Sequence, residues 1–181
     1  MRLFVGVDLP GEIKQTLLEF QSELRQLGVN GSWKSVDNLH ITLEFLGELE
    51  NDKISALTET ITKVANNVKP FGLTIGGLGA FPSLKRSHTL WTSVSGDLLN
   101  LNQLKDTLHY ELKDKAFKLE ERQFKPHITL ASRPKTDNID LSIVQVKKLG
   151  EFMVEELVLF ESRVIDGKRV YIDLFRAALE T

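Results

Sequence analysis

The tetrapeptide His-Ile-Thr-Leu occurs twice, at 40–43 and 127–130, in a chain with only four histidines. The offset of 87 residues between the copies aligns far more than the quartets. It lays "LFVGVD" (3–8) on "LWTSVS" (90–95), and the helical pattern of 11–27 on the start of another at 97–116. It lays Ile54 and Leu57 on Leu141 and Val144, and "FGLTI" (71–75) on "VLFES" (158–162). Each half therefore reads strand, helix, HITL strand, helix, strand. One long repeat of this kind points to a duplicated unit and not to a solenoid, which needs several short ones.

Local patterns fill in the elements. Ile13, Leu17, Phe20, Leu24 and Leu27 recur at helical spacing and are followed by Gly28, which suits a helix end. Ile54, Leu57, Ile61, Val64 and Val68 predict a second helix within 51–68, with Pro70 just past it. Leu98, Leu101, Leu104, Leu108 and Leu112 predict a third at 97–116, and 139–148 is read as a short fourth. Strands are expected at 2–8, 39–47, 71–81, 88–95 and 124–131. A hairpin is expected from 154–164 and 169–179, turning at Asp166-Gly167-Lys168. The expected class is α+β: a single two-lobed domain over 1–181, with repeat halves at roughly 1–80 and 88–165 and a C-terminal strand at 169–179. Antiparallel sheets would line a central cleft, with helices outside.

Composition narrows the function. The chain has 181 residues, enough for a sizeable core. It has no cysteine, which excludes disulfides and thiol nucleophiles and suits a cytoplasmic location. No apolar run approaches membrane-spanning length, and Met1-Arg2 leads straight into a short strand pattern, so neither a membrane span nor a signal peptide is expected. The formal net charge of −2 does not suit a protein that coats nucleic acid, although it allows contact with an RNA end. No protein partner is implied, and the chain is read as a monomer.

Strand alternation gives the quartet its chemistry. His40 and Thr42 share one face, with Ile41 and Leu43 on the other; His127 and Thr129 divide likewise from Ile128 and Leu130. The apolar pairs suit a core, and the polar pairs a common cleft. Two imidazoles serve acid–base chemistry at neutral pH, one accepting a proton while the other donates. Hydroxyls can donate hydrogen bonds to oxygens that gain charge. The combination suits a phosphodiester. Two structural histidines in repeated strands remain an alternative. So does a two-histidine metal site, although no HExxH, cysteine or fixed carboxylate accompanies the pair. No G-x-S-x-G elbow supports a serine hydrolase.

"MRLFVGVDLP", "NLHITLEFLGE", "LGAFPSLKR" before "LWTSV", "FKPHITLA" and "LVLFESRV" stand in this order. Together they resemble the two-histidine phosphoesterase superfamily, and within it the RNA 2′,3′-cyclic phosphodiesterases, also described as 2′-5′ RNA ligases. The resemblance implies the bilobal fold and hydrolysis of a terminal 2′,3′-cyclic phosphate to a 2′-phosphomonoester, with no metal or other cofactor. The substrate partner would be an RNA terminus or a cyclic-phosphate nucleotide. It implies His40 as proton donor, His127 as proton acceptor, and Thr42 and Thr129 as phosphate-binding residues. It also implies 2′-5′ joining in the reverse direction, with acid and base exchanged.

The resemblance further leads one to expect an arginine five residues after the second histidine. That position is Ser132, and Arg133 follows one later. In a continuing strand a one-residue shift reverses the face. Arg133 is therefore a phosphate-binding candidate only if the strand bulges or ends there; Lys125, Lys85 and Arg86 are alternative sources of charge. Trp33, just before the first HITL strand, is the base-stacking candidate, whereas Phe45 is expected in the core. "GGLGAFPSLKR" is read as a bulged strand end and loop. His88 and His109 lack the paired threonine and are read as incidental, His109 at a helix surface. An enzyme acting on a small cyclic nucleotide or an ADP-ribose cyclic phosphate, and a non-catalytic RNA-binding module, are the competing functions.

Overall fold

The computed structural model describes residues 1–84 and 86–180. In chain order the elements are β1 (Arg2–Asp8), α1 (Gly11–Gln26), β2 (Asn30–Trp33), β3 (His40–Glu48), α2 (Ile54–Ala65), β4 (Phe71–Pro82) and β5 (Ser87–Gly96). Then follow α3 (Leu98–Asp114), β6 (His127–Lys135), α4 (Ser142–Gln145), β7 (Lys148–Val154), β8 (Glu156–Ile165) and β9 (Lys168–Ala178). The strands form two antiparallel sheets, β3-β1-β8-β9 and β2-β6-β5-β4-β7.

The repeat and the sheet are different units. β1 and β3 pair in one sheet, and their counterparts β5 and β6 in the other. The last strand of each repeat crosses over: β4 joins β5, and β8 joins β1. Both sheets consequently close over one continuous core, into which α1, α2 and α3 bury the periodic residues read from the sequence.

Ile41, Leu43, Ile128 and Leu130 all lie in this core, none more than 4% exposed. Burying four such side chains contributes on the order of 6–12 kcal/mol relative to exposure. A slip of one residue in either strand would forfeit that burial and turn the histidines inward. The apolar half of the quartet thus holds the polar half in the cleft.

Two elements differ from expectation. The helix expected at 139–148 shrinks to four residues. Leu141 and Val144 there are buried and Ile139 packs against the core, while Ile143 and Val146 are exposed, so the apolar face is too narrow to hold a longer helix. The chain instead adds β7 to the edge of β4, where backbone pairing decides. β2, "NGSW", carries no apolar alternation and exists because β6 offers it an edge.

Candidate active site

β3 and β6 approach each other between the sheets, and His127 is near enough for its charge to act on His40, so the polar faces of the two quartets are brought together. A single turn of 3-10 helix, Val36–Asn38, leads into β3. The two rings are held alike. Nδ1 of His40 lies 2.7 Å from the Asn38 carbonyl oxygen, and Nδ1 of His127 lies 2.6 Å from that of Lys125. Each carbonyl accepts the Nδ1 proton, which fixes the tautomer and leaves Nε2 as the working nitrogen. On His40, Nε2 is 2.7 Å from Thr42 Oγ1. Among the described residues, His127 Nε2 has no hydrogen-bond partner.

Aromatic rings shape each side. Phe4 lies 4.8 Å and Tyr171 5.1 Å from His40, centroid to centroid, with Phe160 behind them at 5.8 Å. Phe81 at 4.8 Å and Trp91 at 6.0 Å flank His127. Phe4 and Trp91 are superposed by the 87-residue offset, the signal from which both could have been found.

Burial pushes His40 down to about 4. The Asn38 hydrogen bond and the Asp8 carboxylate oppose that shift, while Lys34 and His127 add to it. Asp8 stands opposite His40 in the β1–β3 ladder and is held by Arg176 at 2.8 Å and Lys14 at 3.0 Å. His127 is also lowered, by burial first; its Nδ1 hydrogen bond to Lys125 opposes this and the charge of Arg122 reinforces it. Both rings are therefore neutral at pH 7 without substrate.

A β-bulge sits at the same place in each quartet. Val5 and Gly6 face Glu44 and Thr42, leaving Leu43 as the extra residue; Leu90 and Trp91 face Ala131 and Thr129, leaving Leu130. Two consecutive residues then face the core, Leu43 with Glu44 and Leu130 with Ala131. Alternation restarts one residue out of phase. Phe45, expected in the core, is 48% exposed and 6.2 Å from Phe4 on the cleft side. Trp33, the expected stacking residue, pairs with Ala131, packs against the core and is covered by Arg25 at 4.9 Å. The bulge exchanges the two assignments.

It also fixes the faces at the end of β6. Ser132 returns to the cleft face, as the counterpart of Phe45. Arg133 follows with φ +48°, exposed, at a second irregularity where β2 passes from Ser32 to Asn30. No hydrogen bond or ion pair engages its side chain among the described residues. Lys125 lies 6.0 Å over Phe81. Arg86 is exposed, and Lys85 is outside the described residues.

His109 is not incidental. Its Nδ1 lies 2.5 Å from Glu44 Oε1, and its Nε2 lies 3.2 Å from the Glu121 carboxylate. Glu44 also pairs with Lys105, and both are buried. The cluster ties β3 and α3 to the segment 115–126 that leads into β6. Its partners lie 61 and 65 residues apart in sequence, too far for any local pattern to show.

Comparison with known proteins identifies the family and the fold. The LigT-like phosphoesterase family model matches residues 7–91 and 97–171. The chain belongs to the LigT-like phosphoesterase family. An Archaeoglobus fulgidus protein named RNA 2′,3′-cyclic phosphodiesterase is 32% identical over 180 residues, covering 96% of this chain and 98% of the relative. A Thermotoga maritima protein of the same name is 33% identical over 130 residues, or 72% of this chain and 68% of the relative. Escherichia coli LigT complexed with 3′-AMP superposes with a TM-score of 0.82 at 28% identity, covering 99% of this chain and 98% of that one. A solved Thermus thermophilus structure gives 0.83 at 25% identity, with the same coverage. No helix among the described residues is long and apolar enough to cross a membrane.

Proposed function

We propose that this LigT-like phosphoesterase hydrolyses RNA 2′,3′-cyclic phosphodiester ends to 2′-phosphomonoesters. The observation that carries the reading is the matched pair of imidazoles, each tethered through Nδ1 to a carbonyl two residues upstream, on strands that flank one cleft. The names of the relatives supply the substrate class. Thr42 and Thr129 would contact the phosphate oxygens, whereas Arg133, exposed and one residue beyond the cleft-facing Ser132, is not assigned that role.

The steps follow from the two nitrogens. Water attacks phosphorus and gives a proton to His127 Nε2, which is free to receive it. The P–O3′ bond breaks, and His40, protonated to the imidazolium in the substrate complex, delivers its Nε2 proton to O3′ and reverts to the neutral Nδ1–H tautomer. The product carries a 2′-phosphate and a 3′-hydroxyl, and solvent restores both rings. With an RNA 5′-hydroxyl in place of water, the same transfers form a 2′-5′ linkage. The exchange of acid and base expected for joining therefore belongs to the opposite step, when that linkage is cleaved back to the cyclic phosphate. On this reading the protein works as a cytoplasmic monomer.

The deciding experiment follows a short RNA with a 2′,3′-cyclic end, and a cyclic mononucleotide, by phosphorus NMR. The expected product is the 2′-monoester from both, at a rate unchanged by EDTA. Release of a 3′-monoester, or binding without turnover, would sink the proposal. Loss of activity in EDTA would refute the metal-independent mechanism.

The pH profile follows from the shifts at the two rings. The active form carries one proton on the pair. In the free enzyme that form peaks between the depressed value of His40, about 4, and that of His127, itself below the ordinary 6.5. The kcat/KM profile is therefore expected to peak on the acid side of 6.5 and to fall as pH rises further. A bound phosphodiester anion stabilises imidazolium, so the kcat profile should lie at higher pH. Steady-state kinetics from pH 4 to 9 checks this; a kcat/KM optimum above 7.5 contradicts it.

A further inference from the structure

We infer that Arg122 binds the reacting phosphate, reaching across the mouth of the cleft from the segment before β6. This rests on the proposed phosphodiesterase reading. The cleft faces of the motif strands present His40, Thr42 and Phe45 on one side and His127, Thr129 and Ser132 on the other, a set with no permanent cation. Charge builds on the non-bridging oxygens as water adds, and two neutral hydroxyls offset only part of it. A guanidinium supplies two parallel N–H donors suited to a phosphate.

Arg122 is placed for this. It belongs to the segment leading into β6, yet its guanidinium carbon lies 5.9 Å from the Phe45 ring centroid, on the first motif's strand. The side chain therefore spans from one wall toward the other. Its charge also acts on His127, in the direction that keeps that ring ready to accept a proton. The neighbouring Glu121 is tied by His109 at 3.2 Å and Lys113 at 2.5 Å, which steadies the backbone beside it. Glu120 pairs with the guanidinium, but both side chains are mostly exposed, so exchanging that carboxylate for a substrate phosphate costs little.

Arg122→Ala should lower kcat/KM by about 10–100-fold on both the cyclic mononucleotide and the RNA. Inhibition by inorganic phosphate should weaken in parallel, with thermal stability unchanged. Arg122→Lys should recover only part of the activity. Ser132→Arg, added to Arg122→Ala, should restore most of it, because position 132 faces the same space from the opposite wall. The inference is overturned if Arg122→Ala stays within twofold of the parent on both substrates. A loss confined to the RNA, or the same loss appearing in Arg133→Ala instead, overturns it too. If the unaltered protein turns over neither substrate, the failure lies with the phosphodiesterase reading itself.

Discussion

Alanine at either His40 or His127 is expected to lower cyclic-phosphate hydrolysis by about 10²–10⁴-fold, each loss being that of one proton transfer. The double variant should fall little further, because groups that act in one concerted step are not additive. His40 packs against Phe4, Phe160 and Tyr171, so His40→Ala leaves a gap and His40→Gln is the better-filled comparison. Both should be assayed well below their melting temperatures. A substrate with an aryl leaving group separates the roles. An aryloxide departs without a proton, so a His40 variant should keep most of its activity on that substrate while a His127 variant stays impaired. The opposite pattern would reverse donor and acceptor; full activity of both on the RNA end would remove the histidines from the chemistry.

Much of this site was legible because the quartet encodes it locally. Alternation alone put His40 and Thr42, and His127 and Thr129, on faces away from the core, and the buried Ile41, Leu43, Ile128 and Leu130 hold them there. The offset of 87 also matched strands that do occupy corresponding places in the two sheets. What alternation could not contain was the bulge. Nothing in "LEF" or "LAS" signals an extra residue, because a bulge is settled by how β1 and β5 pair alongside. One inserted residue was enough to exchange the expected places of Phe45 and Trp33. The same limit hid the strand exchange of β4 and β8, which is a choice of partner and not of conformation. Arg122 and His109 were hidden for a third reason: each acts through side chains remote in sequence.

The largest stability effect is expected at the charged cluster behind the first motif. Glu44 is 3% and Lys105 8% exposed, and the bulge at Leu43 is what turns Glu44 inward. Glu44→Leu leaves the Lys105 ammonium buried with no carboxylate, and should cost about 3–5 kcal/mol. For a chain of this length that corresponds to a melting temperature lower by roughly 6–20 °C. Lys105→Met, which strands Glu44 beside His109 alone, should cost less, since the imidazole still offers a donor. Attraction between the buried charges offsets much of their desolvation, so the pair as a whole contributes little beyond what apolar residues of similar size would. The double variant Glu44→Leu/Lys105→Met should accordingly recover most of the loss. Denaturant unfolding of the four proteins closes the cycle. Single variants within 0.5 kcal/mol of the parent would mean that the pair is not desolvated as described. Because Glu44 and Thr42 lie on opposite sides of the same bulge, folded Glu44→Leu protein should retain its cleft, with kcat/KM per folded molecule changed far less than in the histidine variants.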